Sequence, residues 1–211
     1  MSDTMELTEL IDILNYRKTV FTGESAVLSR QILQLLAEGQ PVTPERLAAI
    51  AGQPVEFIRT TFAALQRCGC EFNEQGALIG DALTLTPTRH RFRVKNHDLY
   101  AWCALDTLFL PALINQTAEI MSTCPQTGAV IHLTVSSDGI EAVSPPETAL
   151  SIVFTSGCTS GINGSFCGQI HFFVSHEAAV EWVDRRTDFA VLSVGDAFEL
   201  ARQVYIAPLM K

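Results

Sequence analysis

The sequence has no excess of basic charge, no CxxC pair, no apolar run of membrane-spanning length and no internal repeat, and each absence removes a class of function. Lys and Arg number 14 against 23 Asp and Glu, a net charge of -9. Such a surface repels phosphate backbones and anionic lipid, so nucleic acid and membrane are not expected partners. The first residues, MSDTMELTELID, are acidic and amphipathic, without the basic start and apolar stretch of a signal peptide. A cytoplasmic protein is the expectation. Its six cysteines, Cys68, Cys70, Cys103, Cys124, Cys158 and Cys167, are then expected as reduced thiols, each an inert buried hydrophobe or a site for soft metals or redox chemistry. Zinc asks for four ligands, usually in close-spaced pairs. The Cys68-Gly69-Cys70 pair has no matching second half, Cys124 in CPQTG has no near partner and reads as a structural thiol, and Cys158 reads as incidental.

What is present is a generous core. Hydrophobic residues make up 47% and charged residues only 18% of 211 positions, which excludes a disordered chain and allows a small domain docked on a larger one. Residues 5 to 19 and the stretch from Gly23 to Gly39 carry apolar side chains at helical spacing. Thr43-Pro44 is a helix start, a cap followed by proline at the first position, with Gly52 as the stop. Pro54 opens another helix bearing Val55, Ile58, Phe62 and Leu65, and Glu71 to Asn73 with Ala77 to Gly80 reads as a hairpin. Helices followed by a hairpin predict a winged-helix arrangement over residues 1–82. Its reader helix has only Arg59 and Arg67 as basic residues, so a cover for the next domain is preferred to a DNA reader.

Residues 83–211 read as a mixed domain, giving an α+β protein. Residues 83 to 95 alternate as a strand pair bent at Pro87. They hold the one basic cluster, Arg89, His90, Arg91, Arg93 and Lys95, which is either a solvated strand face or a positive wall favouring a nearby thiolate. Strands are expected at 118–122, 130–135, 140–143, 150–154 and 169–174, forming one antiparallel sheet. The glycine-rich stretch 155–164 suits a mobile lid. A helix from Glu177, a strand at Ala190 to Ser193 and a final helix close the chain.

Residues 99 to 114, LYAWCALDTLFLPALI, are the one apolar stretch that encloses an ionisable pair, Cys103 and Asp106. If the stretch is helical up to Pro111, the i, i+3 spacing brings thiol and carboxylate together on one face. A buried carboxylate costs several kcal/mol unless hydrogen-bonded, on the order of 2–7 for a neutral polar group alone. Asp106 is therefore either a cap for a helix starting at Thr107 or a proton carrier for Cys103. A second stretch, SFCGQIHFFV at 165 to 174, reads as a strand with Cys167 at its mouth. Together, NHDLYAWCALDTLFLPALI and SFCGQIHFF resemble the two active-site segments of the alkylmercury (organomercurial) lyases. The resemblance runs from about Leu28 to near the C-terminus.

That resemblance implies cleavage of organomercurials to hydrocarbon and Hg(II), for mercury detoxification. Cys103, Asp106 and Cys167 fall on the family's two cysteines and aspartate, as catalytic residues and as ligands of the mercury that is substrate and product. It implies no organic cofactor, external cellular thiols for turnover, and mercuric reductase as an acceptor of Hg(II). Gly168 departs from members that carry a further cysteine there. The residues themselves are consistent with this chemistry. Soft thiolates in an apolar pocket select soft cations, and two suffice for a metal that prefers near-linear coordination. An ionised Asp106 would raise the thiol pKa rather than activate Cys103, so proton transfer to the leaving carbon is its better role. Tyr100, Trp102 and Phe166 either wall the organic group or are plain core, and His171 is expected as a core histidine on the strand face of Cys167. Two other classes stay open: a mercury- or metal-responsive winged-helix regulator using the same cysteines, and a thiol oxidoreductase with a reversible Cys103 to Cys167 disulfide.

Overall fold

The computed structural model describes residues 24–153, 166–184 and 186–207. The helix expected at 5 to 19 and the lid expected at 155–164 lie outside them. Helix α1 (Glu24–Leu36) buries Leu28, Ile32, Leu35 and Leu36, the face its spacing predicts. Helix α2 (Pro44–Ala51) starts as its sequence dictates. The Thr43 hydroxyl accepts the Arg46 N–H at 3.2 Å, proline occupies the first turn, and Gly52 closes the helix at φ 63°. Helix α3 (Val55–Arg67) sets Ile58 and Phe62 into the core.

The hairpin that follows, β1 (Glu71–Phe72) and β2 (Leu78–Asp81), is not a free wing. It is the edge of an eight-stranded antiparallel sheet, continued by β3 (Leu83–Thr84), β5 (His97–Ala101), β4 (His90–Val94), β6 (Ala118–Thr123), β7 (Val130–Val135) and β8 (Ile140–Ser144). The N-terminal helices are thereby joined through backbone hydrogen bonds to the strands that lead into the Cys103 segment. Two expectations are corrected here. Residues 83 to 95 do hold two strands, but β3 and β4 do not pair with each other; β5 lies between them, with Leu83 opposite Ala101 and His90 also opposite Ala101. And residues 99 to 101, expected as the start of a helix, are instead the end of strand β5, because each edge of β5 finds a partner that no local pattern announces.

Helix α4 (Ala104–Ile114) begins only after Cys103 and runs on through Pro111, and every one of its residues is buried. An apolar surface all round marks a central helix rather than a surface one. It packs against the sheet, against α1, and against α6 (Val194–Ala201) with the π-helical turn Arg202–Ile206 that follows it.

A further correction concerns the last strands. β9 (Ala149–Val153) does not extend the large sheet; it is the middle of a separate three-stranded sheet between β10 (Phe172–Phe173) and β11 (Phe189–Ser193). Buried on both faces, β9 reads as a continuous apolar run with no alternation to orient it. The strand expected from 165 to 174 shrinks to Phe172–Phe173, since residues Cys167–Gln169 form a 3-10 turn. Helix α5 (His176–Val183) follows, capped by Ser175, whose hydroxyl accepts the Ala178 N–H. Among the described residues no helix is long and apolar enough to cross a membrane.

Candidate active site

The first N–H groups of a helix have no intrahelical acceptor, and at the start of α4 they are buried. Cys103 takes the N-cap position in extended backbone, φ -146° and ψ 171°. Its N–H donates to Asp106 Oδ2 at 3.0 Å, while the Asp106 N–H turns back to the Cys103 sulfur. This is a capping box with a thiol where a hydroxyl usually stands. Asp106 is therefore the third residue of the helix rather than a cap before Thr107, and thiol and acid meet through the cap rather than across a helix face.

Cys167 arrives from the other end of the domain on its 3-10 turn and is 4% exposed. Bonds from Ala104 and Ser151 hold that turn. The Ala104 N–H donates to the Ile170 carbonyl at 3.1 Å, the Ser151 hydroxyl donates to the Gln169 carbonyl at 3.0 Å, and the same hydroxyl accepts the His171 N–H at 3.2 Å. The result is that the ligand atoms of Cys103, Asp106 and Cys167 all lie within 4.8 Å of one another, all three residues buried. Among the described residues no other group of three His, Cys, Asp or Glu is drawn so close.

Burial pushes the Cys103 thiol well above its ordinary pKa, helped by a hydrogen bond with Cys167 and by the charge of Asp106. Burial also lifts Asp106 to about 7, against the hydrogen bonds from Cys103 that pull it down. Relative to an ordinary carboxyl that shift corresponds to roughly 4 kcal/mol disfavouring the ionised form. An acid poised near neutrality can both accept and return a proton.

The other candidates fall elsewhere. His90 and His171 are buried and held neutral, His90 down at about 3 and His171 at about 4, in both cases first by burial. His171 stacks 6.2 Å from His90 and edge-on to Trp182, and it shares no strand face with Cys167 because Cys167 is not on a strand. The Trp102 indole N–H donates to Glu71 Oε1 at 2.8 Å, Tyr100 is half-buried on β5, and Phe166 is buried beside Cys167 in sequence. The basic cluster divides by strand alternation. His90 points inward, while Arg91 and Arg93 face outward to Asp98 and Glu119 at 2.8 and 4.0 Å, a solvated strand face. On the presumed reader helix, Arg59 is engaged by Glu45 at 2.5 Å and Glu56 at 3.7 Å, which disfavours a regulator that reads DNA with it. Cys124 is buried and Cys158 lies outside the described residues. Two residues that bear on the site escaped sequence reading: Ser151, one polar residue in the apolar strand β9, and Asp81, at the end of β2 near enough to act through space on Asp106.

Comparison with known proteins agrees with this geometry. The family model described as alkylmercury lyase matches residues 83–206, and the one described as the helix-turn-helix domain of alkylmercury lyase matches residues 9–82. An alkylmercury lyase of Staphylococcus epidermidis is 45% identical over 177 residues, covering 84% of this chain and 81% of that protein. One of Bacillus cereus is 43% identical over 199 residues, covering 93% and 90%. The crystal structure of the mercury-bound form of MerB2 superposes with a TM-score of 0.79 at 25% identity, over 96% of this chain and 99% of that one. By these matches, spanning both the helical segment and the segment that holds Cys103, Asp106 and Cys167, the chain belongs to the alkylmercury lyase family.

Proposed function

We propose that the protein cleaves the carbon-mercury bond of organomercurials by protonolysis, with Cys103 and Cys167 as mercury ligands and Asp106 as the proton carrier. The observation that carries this reading is the convergence of two sulfurs and one carboxyl within 4.8 Å, all three residues buried. The Cys103 sulfur binds the mercury of R-Hg(+) as its proton passes to Asp106. Cys167 becomes the second sulfur ligand and its proton leaves to solvent. Asp106 then delivers its proton to the carbon as the carbon-mercury electron pair moves to carbon. Hydrocarbon leaves, and Hg(II) stays as a bis-thiolate with no change of oxidation state. An alkyl anion cannot depart unassisted, so the step depends on the acid. The family membership and the likeness to a mercury-bound structure support mercury as the metal.

On this reading nucleophile, ligands and proton all come from the chain, so no organic cofactor is required. Two external thiols remove Hg(II) by exchange and reprotonate Cys103 and Cys167; a cytoplasmic thiol pool and mercuric reductase are the acceptors we assign. The test supplies phenylmercury with excess thiol and measures benzene and inorganic mercury. Cys103→Ser and Cys167→Ser are expected to lose cleavage, and Asp106→Asn to bind phenylmercury while releasing benzene ~10²–10⁴-fold more slowly. Full rates from the cysteine variants would overturn the assignment.

A further inference from the structure

The thiol-acid pairing seen at Cys103 and Asp106 occurs a second time. Helix α3 ends in Cys68-Gly69-Cys70, where Gly69 takes φ 96° and the N–H groups of Gly69 and Cys70 return to the carbonyls of Gln66 and Leu65, each at 3.1 Å. That double return is how a glycine ends a helix while reversing the chain, and it sets both cysteines on one tight turn. Both are free thiols, Cys68 exposed and Cys70 half-buried. β1 then leaves the turn with Glu71 opposite Gly80, so Cys70 stands opposite Asp81, and a hydrogen bond joins its thiol to that carboxylate. Asp81 sits where β2 folds into β3. The next residue, Ala82, accepts the Trp102 N–H at 2.9 Å, and Trp102 immediately precedes Cys103. A line of thiols and acids thus runs from exposed Cys68 through half-buried Cys70 and Asp81 to buried Asp106 and Cys103.

We propose that Cys68 and Cys70, with Asp81 as proton acceptor, form a second soft-metal site that holds Hg(II) as a bis-thiolate between the buried Cys103 and Cys167 and solvent. The assignment of mercury as its cargo rests on the function proposed above. The donor set suits a soft ion of low coordination number. Glu71, the remaining acid of the turn, is committed to Thr84, Thr86 and Trp102, which leaves the two sulfurs as ligands where zinc would ask for four. Asp81 is hydrogen-bonded to the Cys70 sulfur and so is placed to take its proton when the metal binds. In the transfer, Cys68 releases its proton to solvent and Cys70 to Asp81. Two sulfur-mercury bonds form at the turn as two break at Cys103 and Cys167, whose sulfurs regain protons. Nothing is oxidised or reduced.

The test is a metal count. Reduced protein is loaded with HgCl2 and one equivalent of glutathione per mercury, enough to compete with single thiols but short of the excess that empties Cys103 and Cys167, then desalted and analysed for retained mercury, with circular dichroism checking the fold. Wild type should retain a second equivalent per chain. Cys68→Ser, a change at an exposed site, and Cys70→Ser should each lose that second equivalent and keep the first. A Cys103→Ser/Cys167→Ser protein should keep a single equivalent, and adding Cys70→Ser should remove it. The proposal is overturned if folded wild type stops at one equivalent, or if the second survives in either turn variant. Because no organomercurial is used, failure here leaves the catalytic reading standing, and failure of the phenylmercury assay leaves this count unchanged.

Discussion

The Ala104 N–H donates to the Ile170 carbonyl at 3.1 Å, and that bond fastens the first residue of the buried helix to the turn that carries Cys167. Helix starts leave N–H groups without acceptors, and here those groups organise the site. Ala104 reaches across to Ile170, Asp106 turns back to Cys103, and Cys103 donates to the Asp106 carboxyl. The spacing between sulfurs drawn from distant parts of the chain is thus set by backbone.

Ser151 is the other half of that fastening. Its hydroxyl is the donor to the Gln169 carbonyl and the acceptor for the His171 N–H, and its own N–H donates to the His171 carbonyl. Ser151→Ala removes the hydroxyl's bonds to the Gln169 carbonyl and to the buried His171 N–H. The expected cost is about 1–3 kcal/mol in stability. Because the loosened turn is the one that holds Cys167, cleavage should slow more than substrate binding weakens. Thermal melting and a separate measurement of kcat and KM check this; wild-type kcat with lowered stability would reduce Ser151 to a structural role.

Asp106 predicts opposite pH dependences for capture of the organomercurial and for stability of the fold. Its carboxyl is lifted to about 7, so in the free protein it is mostly neutral below that pH and ionised above it. Taking the Cys103 proton needs the ionised form, so capture of the organomercurial should rise with pH toward and through about 7. Stability runs the other way. A raised carboxyl pKa stabilises the fold fully below the ordinary carboxyl range, and that contribution is lost as pH rises to about 7. Unfolding free energies of wild type and Asp106→Asn should therefore diverge between pH 4 and pH 7, with wild type losing stability relative to the variant, and run parallel above. A constant difference across that window would remove the raised pKa.

Cys103 has two duties that a single atom change separates. As N-cap it accepts the Asp106 N–H, and as proposed ligand it binds mercury. Serine caps helices well, so Cys103→Ser should keep stability within about 1 kcal/mol of wild type, whereas Cys103→Ala should lose about 0.5–2 kcal/mol. Neither should cleave phenylmercury. Denaturant unfolding of the two variants distinguishes the duties, and equal stability of serine and alanine would show that the thiol cap contributes nothing.

How much of this could be read beforehand follows from the kind of signal each feature leaves. Thr43-Pro44 and Gly52 bracket α2 because cap chemistry is local. The pairing of Cys103, Asp106 and Cys167 was legible from the two quoted segments and from an acid standing in an apolar run. The strand-to-helix switch at Cys103 was not, because LYAWCALDTLFL is apolar throughout and has no period to tell strand from buried helix. The insertion of β5 between β3 and β4 and the separate sheet of β9 depend on distant partners that local pattern cannot name. Ser151 and Asp81 stayed silent for the same reason: the groups they serve come from other elements.

Glu71 tests whether the helical N-terminal segment matters to the site at all. Its carboxylate accepts the Thr84 hydroxyl at 2.6 Å, the Thr86 hydroxyl at 2.9 Å and the Trp102 indole N–H at 2.8 Å, so one side chain of the β1 hairpin holds the residue before Cys103. Gly80, opposite Glu71 in the sheet, makes room for this: a Cβ there would lie 2.6 Å from Glu71 Oε2 and 2.8 Å from Thr84 Oγ1. Gly80→Ala should therefore expel the carboxylate without touching it chemically. Hydrogen bonds to a charged group contribute about 1.5–3 kcal/mol each when buried, and these are part-buried or, for Thr86, exposed, so a loss of roughly 2–4 kcal/mol is expected for either Gly80→Ala or Glu71→Ala. The double variant should cost little more than either single one, because both remove the same cluster. If Trp102 must be held for Cys103 to cap correctly, both variants should also slow phenylmercury cleavage while the distant Glu45→Ala, on α2, leaves it unchanged. Additive losses in the double variant, or destabilised proteins that cleave at the wild-type rate, would show that the cluster stabilises the sheet edge and does nothing for the thiol beside it.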